Sequence, residues 1–131
     1  MNREPLFLTL EEVLSLHADQ IERYGGTPGL RDPGLLSSAL AMPQASFAGK
    51  FLHATVNEMA AAYLFHLTQD HPFVDGNKRI GLAAALAFLG LNDLELRSDD
   101  DDVFDLVMGV AQGLRSKAEI AVFFQQRCRP S

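Results

Sequence analysis

The sequence has very little cysteine, few basic residues and no long apolar run. A single cysteine, Cys128, among 131 residues rules out an internal disulfide and fits a reducing compartment. The longest apolar stretch, within residues 80–91, is too short to span a membrane, and the N-terminus lacks the apolar core of a signal peptide. These absences predict a cytoplasmic protein without a membrane partner.

Positive charge is also scarce, since 11 lysines and arginines stand against 17 acidic residues and the formal charge is −6. Non-specific nucleic-acid binding needs a broad basic surface, so we expect no direct nucleic-acid partner. Much of the acidity lies in residues 99–102, ahead of an apolar helical pattern. Such a run is typical of a helix N-terminus, where the dipole favours carboxylates, rather than of a metal site.

The chain is rich in apolar residues at helical spacing. With 131 residues and 47% hydrophobic content it predicts one domain over residues 1–131, folded as an all-α bundle of about six helices. Residues 79–91 are apolar almost all round, which predicts a central helix enclosed by the others. Capping signals open four helices: Thr9 with Glu12, Asp32 before Pro33, Thr55 with Glu58, and Ser116 with Glu119.

Other stretches suggest structure rather than chemistry. His17 lies on the first helix and is interpreted as a surface or boundary residue. Residues 44–52 are predicted to be a loop anchored by Phe47 and Phe51. Leu94-Glu95-Leu96 alternates like a short extended segment, and a fifth helix is expected over residues 103–114.

The side chains with the richest chemistry are contiguous in His71-Pro72-Phe73-Val74-Asp75-Gly76-Asn77-Lys78-Arg79, called the motif segment below. Pro72 disfavours helix at His71, so the preceding helix should end there and expose the imidazole. Gly76 and Asn77 tolerate backbone angles that point successive N–H groups into one concavity, where the next helix starts. This arrangement predicts a binding place for an anion.

Two cations strengthen that prediction. Lys78 and Arg79 lie in the first turn of the helix, where the macrodipole disfavours positive charge, and no internal partner is evident. Their expected partner is therefore a bound phosphate group. The structural alternative is that Asp75 pairs with Lys78 or Arg79 to cap the helix while His71 fills a boundary pocket.

The motif segment closely resembles the core motif of the Fic/Doc superfamily, and Lys78 makes it similar to the Doc (death-on-curing) branch. Residues 31–44 and 88–92 resemble the flanking Doc segments, so the likeness covers most of the chain. It implies a compact helical toxin of a toxin–antitoxin pair. The implied activity is a protein kinase that transfers the terminal phosphate of ATP to a threonine of elongation factor Tu and arrests translation.

The resemblance also implies a role for each polar residue of the motif segment. His71 would be the general base, Asp75 would hold Mg²⁺ on the nucleotide, and Arg79 would complete the catalytic set. The phosphates would be bound by Gly76, Asn77, Lys78 and Arg79.

Two departures from the wider family bear on the chemistry. AMP-transferring Fic proteins have a second glycine where this chain has Lys78, and a further arginine where it has Leu82. Both differences favour transfer of the terminal phosphate over the alternative, AMP transfer to a protein hydroxyl. A further alternative is a non-catalytic Doc-like binding module, against which the intact motif argues.

Restraint of the enzyme is expected to come from outside the chain. Many Fic proteins carry an inhibitory helix with glutamate followed by glycine or asparagine, and no glutamate here has that neighbour. The resemblance implies a Phd-like antitoxin whose disordered tail folds as a helix on the toxin. We expect its groove near the first two helices, lined by Leu35, Leu36, Phe47 and Phe51.

An unrelated alternative is a helical metal phosphohydrolase that uses His53, His66, Asp70 and His71. His66 and His71 are five residues apart across a proline, which departs from the i, i+4 spacing of two ligands on one helix face. His66 is better explained as a core histidine.

Overall fold

The computed structural model describes residues 4–131, which form six α-helices and four short strands. The helices are α1 (Leu10–Tyr24), α2 (Pro33–Ala41), α3 (Val56–Asp70), α4 (Asn77–Leu91), α5 (Asp100–Ala111) and α6 (Lys117–Arg127). One 3₁₀ turn, Met42–Gln44, follows α2. The strands pair antiparallel as β1 (Ser46–Phe47) with β2 (Lys50–Phe51) and β3 (Leu94–Leu96) with β4 (Cys128–Pro130). The expected all-α fold is confirmed.

Local capping chemistry explains where the helices begin. Thr9 and Ser116 each form a reciprocal capping box, with Glu12 and Glu119 respectively. At α3 only half of the expected box forms. The Thr55 hydroxyl accepts from the Glu58 N–H, but the Glu58 carboxylate accepts from Ala54 N–H instead of from Thr55. The acidic run behaves as predicted, since Asp99 accepts from the Asp102 N–H and caps α5.

The core is built on α3 and α4 together. The central helix expected at residues 79–91 starts two residues earlier, at Asn77, and α3 packs against it and also against α2, α5 and α6. Gly81 lies where the two central helices meet. A Cβ there would be 2.5 Å from the Thr68 hydroxyl and 3.1 Å from the Leu64 carbonyl oxygen, so a larger residue would push the helices apart.

Two local expectations are corrected by the structure, and a third is confirmed. Residues 46–51 form the β1–β2 hairpin, and Phe47 is 78% exposed, so it anchors nothing; only Phe51 packs inward, against Phe7. The fifth helix ends at Ala111, and Leu114 lies beyond it on the surface. The extended segment at residues 94–96 is confirmed, and β4 is its partner.

Within residues 4–131, none of the helices has the length and apolar character needed to traverse a lipid bilayer.

Candidate active site

His71 ends α3 and exposes its imidazole beside the start of α4. It adopts a left-handed conformation, φ 50° and ψ 55°, so the predicted helix end is confirmed. The Arg31 guanidinium stabilises this exit by donating to the carbonyl oxygens of His71 at 2.7 Å and Asp70 at 3.1 Å. The Pro72 carbonyl accepts from the N–H groups of Arg31 and Asp32. A segment 40 residues upstream therefore fixes the backbone at His71.

Asn77, the first residue of α4, organises the motif segment from inside. Its side chain is buried and holds both polar groups of Phe73: Oδ1 accepts from the Phe73 N–H and Nδ2 donates to the Phe73 carbonyl, each at 3.0 Å. Nδ2 also lies 3.4 Å from His71 Nδ1. An amide N–H directed at Nδ1 favours the tautomer with a bare Nδ1. The imidazole thus presents a proton acceptor towards the start of α4.

Asp75 is fully exposed yet tightly oriented. Its Oδ1 accepts from the Gly76 N–H at 2.8 Å and its Oδ2 from the Thr27 N–H at 3.1 Å. These two backbone donors, followed by the charges of Arg79 and His17, lower the pKa of the Asp75 carboxyl. The carboxylate is therefore ionised at neutral pH and points in a fixed direction.

The start of α4 offers free donors to the solvent. Gly76 adopts the left-handed conformation, φ 75°, and no side chain caps the helix. Its own N–H is held by Asp75, but within residues 4–131 the N–H groups of Asn77, Lys78 and Arg79 have no partner. Three aligned donors at a helix N-terminus attract an anion such as phosphate.

The two cations of the motif segment differ in their surroundings. Lys78 is exposed and has no hydrogen bond or ion pair within the described part of the chain. For Arg79 the expectation of no internal partner is wrong. Its Nη1 donates to the carbonyl oxygens of Gly25 at 2.7 Å and Gln20 at 3.3 Å, at the C-terminal end of α1. These partners are neutral, so the Arg79 charge stays available to an anion.

His17 was missed as a site residue. It is only 4% exposed, its Nε2 donates to the Asp75 carbonyl at 2.8 Å, and its ring stacks on Phe73 with centroids 3.7 Å apart. The expected surface or boundary position was therefore wrong. One sequence signal could have found it: Val13, His17 and Ile21 are four residues apart, which places the histidine on the buried face of α1.

A pocket of about 610 Å³ opens where these groups meet. Its lining consists of seven residues of the motif segment and one of α5: His71, Val74, Asp75, Gly76, Asn77, Lys78, Arg79 and Ala111. The pocket thus combines a proton acceptor, an oriented carboxylate, free N–H donors and two cations. Neither cation forms an ion pair with Asp75 among the described residues, so the structural alternative of an internally neutralised cap is not supported.

The residues of the metal alternative do not form one cluster: His53 and His66 both lie near Lys117, whereas His71 lies beside the start of α4. Residues 4–131 contain no group of three or more histidine, cysteine, aspartate or glutamate side chains that could hold a metal ion. His66 accepts from the Lys117 ammonium at 3.0 Å, and burial followed by the Lys117 charge lowers its pKa to about 4. His53 lines a separate pocket of about 400 Å³ between α3 and α6. This geometry does not favour a helical metal phosphohydrolase.

Comparison with known proteins agrees with the site. The model of the Fic/DOC family matches residues 7–89. "Protein kinase doc" of Escherichia phage P1 is 37% identical over 111 residues, which cover 85% of this chain and 86% of that protein. "Toxin Doc" of Mycolicibacterium smegmatis is 42% identical over 95 residues, which cover 72% and 71% respectively. The matched region contains the whole motif segment, and the chain belongs to the Fic/DOC family.

Proposed function

We propose that the protein is a Doc-type toxin that acts as a protein kinase. It transfers the terminal phosphate of ATP to a threonine hydroxyl of elongation factor Tu and thereby arrests translation in the cytoplasm. The names of the two relatives, a protein kinase and a toxin, support this class of activity.

The observation that carries the proposal is that the uncapped start of α4 lies opposite the unprotonated Nδ1 of His71. Phosphoryl transfer requires mainly that the reactants be positioned and that charge on the phosphate oxygens be stabilised. The free N–H groups of Asn77, Lys78 and Arg79, together with two side-chain cations, meet the second requirement. His71 meets the first requirement, because it is exposed on the same pocket and oriented by Asn77, where it can position the attacking hydroxyl.

In this mechanism His71 accepts the proton of the threonine hydroxyl as the oxygen attacks the terminal phosphorus, while the bond from that phosphorus to the bridging oxygen breaks and ADP leaves. Nδ1 faces the helix start, and its 3.4 Å contact with Asn77 is weak enough to be exchanged for a substrate hydrogen bond. Lys78 and Arg79 bind the phosphate oxygens, where charge shifts during transfer. Gly76 contributes its left-handed turn, since its N–H is held by Asp75.

The residues present fit one magnesium ion carried by the nucleotide. Asp75 is exposed and ionised, and each of its oxygens accepts only one N–H, so lone pairs remain for a metal. Magnesium in proteins is commonly held by one or two carboxylates plus substrate phosphates. When bound there, it would neutralise charge on the phosphates.

Two side chains favour the kinase over AMP transfer. Lys78 lines the pocket at the first turn of α4, where a glycine would leave more room for the inner phosphates. Leu82 is partly buried and packs against the core, so it cannot bind phosphate. AMP transfer remains the second candidate, because the same base and cradle would serve either chemistry.

We further propose that an antitoxin of the Phd type restrains the enzyme. The groove expected from Leu35, Leu36, Phe47 and Phe51 is wrong in its details. Leu36 is buried at 1% exposure, whereas Phe47 projects from the β1–β2 hairpin. Leu36 therefore cannot line an open groove, and the docking place of the antitoxin stays a prediction.

Mass spectrometry of elongation factor Tu incubated with the protein, ATP and Mg²⁺ tests the reaction. A phosphate-sized mass increase on a threonine supports the kinase, whereas an adenylyl-sized increase would replace it with AMP transfer. His71→Ala is the matched variant, expected to slow transfer ~10²–10⁴-fold while still binding nucleotide. Equal transfer by both proteins would reject His71 as the base.

A further inference from the structure

We infer that His17 is a positioning residue of the phosphate cradle, acting through the peptide bond between Asp75 and Gly76. This inference rests on the proposed function, because it assigns the cradle to a magnesium–nucleotide complex. It concerns a side chain of α1 that lies outside the motif segment and does not line its pocket.

His17 donates a hydrogen bond to the backbone of the motif segment. The carbonyl of Asp75 can only accept, so His17 Nε2, 2.8 Å away, must carry a proton. The same peptide unit ends in the Gly76 N–H, which donates to Asp75 Oδ1 at 2.8 Å. His17 therefore fixes one end of a rigid peptide plane, and the Asp75 carboxylate is held by the other end.

The imidazole ring of His17 also packs against the side chain of Phe73. The imidazole stacks on Phe73 at 3.7 Å with an interplanar angle of 9°, and both side chains are almost fully buried. Phe73 is also held through its N–H and carbonyl by Asn77. The histidine thus touches the motif segment on both sides of Val74, and it leaves the turn little freedom to rotate.

Gly76 forms the left-handed turn that leads into the free N–H donors at the start of α4. A Cβ on Gly76 would lie 3.5 Å from His17 Nε2 and 3.2 Å from Ile21, so α1 packs directly beneath the turn. Without the hydrogen bond, the Asp75–Gly76 peptide could flip. Such a flip would move the Gly76 N–H away from Asp75 Oδ1 and turn the carboxylate away from Thr27, so that it would no longer be oriented to hold the magnesium ion of the nucleotide.

Two substitutions separate the hydrogen bond from the packing. His17→Gln keeps a donor, because the amide nitrogen lies as many bonds from Cα as Nε2 does, but it loses the stacked ring. His17→Phe keeps an aromatic ring against Phe73 and loses the donor. Val13→Ala, one turn earlier on the same buried face, is the control for general weakening of α1.

The measurement is the Kd for magnesium–ATP by titration calorimetry, with folding of each variant checked by circular dichroism. We expect His17→Phe to weaken binding roughly tenfold, the upper end of what one hydrogen bond contributes. His17→Gln should stay within about threefold of the wild type and Val13→Ala should bind normally. Normal binding by His17→Phe, or equal losses in the Phe and Gln variants, would overturn the inference.

A measurement on the wild-type protein tests the same inference even if the variants fail to fold. Long-range ¹H–¹⁵N spectra identify the tautomer of His17, which must carry its proton on Nε2; a proton on Nδ1 alone would refute the inference. Failure of the kinase proposal is seen separately, as nucleotide binding without transfer. If the protein binds no nucleotide at all, the test is the NMR chemical shifts of the Gly76 and Asn77 backbone amides. Shifts in His17→Phe that are unchanged from the wild type would refute the inference.

Discussion

Replacing Gly26 by alanine should damage the site while an identical change at Gly25 should not. Gly26 has φ +119°, and a Cβ there would lie 2.7 Å from Asp75 Oδ2 and 2.9 Å from Arg79 Nη2. Gly25 is the ideal control, since it also has a positive φ, +83°, but a Cβ at that position would meet no other part of the chain within 4 Å. Both variants adopt an unfavourable backbone conformation. Gly25 contacts the site only through its carbonyl oxygen, which both variants keep, and only at Gly26 would the added methyl group press on Asp75 and Arg79.

The magnitudes follow from these distances. Holding a non-glycine residue in such a backbone region costs about 1–3 kcal/mol, so both variants should lose that much free energy of unfolding. In Gly26→Ala the Asp75 carboxylate must also move about 0.7 Å, from 2.7 to an ordinary 3.4 Å, and it then loses its bond from Thr27. Displacements near 1 Å can cost ~10²-fold in rate, so we expect at least a tenfold loss.

The assay compares the two variants directly. Urea denaturation gives the free energy of unfolding, and phosphate incorporation from radiolabelled ATP into elongation factor Tu gives kcat/KM. We expect similar stabilities and a kcat/KM at least ~10-fold lower for Gly26→Ala than for Gly25→Ala. Equal kcat/KM values would show that the backbone at Gly26 does not set the position of Asp75, and the reasoning would fail.

Three further predictions concern other parts of the molecule. Asn77→Ala removes both hydrogen bonds to Phe73, so it should cost about 1–3 kcal/mol in urea denaturation and lower kcat. His66 has its pKa lowered to about 4, so stability should fall as the pH drops from about 6.5 to 4 and should level off below that. His66→Gln should remove about 1–2 kcal/mol of that loss, allowing for partial exposure, when unfolding is compared at pH 7 and pH 4.5. Tyr63→Phe leaves the buried Leu8 N–H without its acceptor and should cost about 1–3 kcal/mol by thermal denaturation.

Features governed by neighbouring residues could be predicted from the sequence. The capping boxes at Thr9 and Ser116 involve residues three apart, and the helix end at His71 follows from the adjacent Pro72. The residue types of the motif segment likewise identified the pocket lining, although their chemical roles remain predictions. In each case the partner groups are close in sequence, so the physical rule can be applied locally.

Several of the missed features depend on distant partners. Arg79 donates to Gly25 54 residues upstream, and His17 is 58 residues from Asp75. Strand β4 has only three residues, too few for a period-two pattern, and only its pairing with β3 defines it. The identity of a single residue could not reveal any of these contacts, because the partner residue comes near only when the whole chain is folded.

Those long-range contacts make enzymatic activity a reporter of complete folding. The helix ends of the motif segment are encoded locally by Pro72 and Gly76, but its carboxylate and its arginine take their directions from α1 and the turn after it. Contacts between residues 54 or 58 positions apart cost loop-closure entropy that helical contacts do not, and folding slows as such contacts dominate. In a refolding experiment helical signal should therefore return first, and the capacity to bind nucleotide should return with the final, slowest phase.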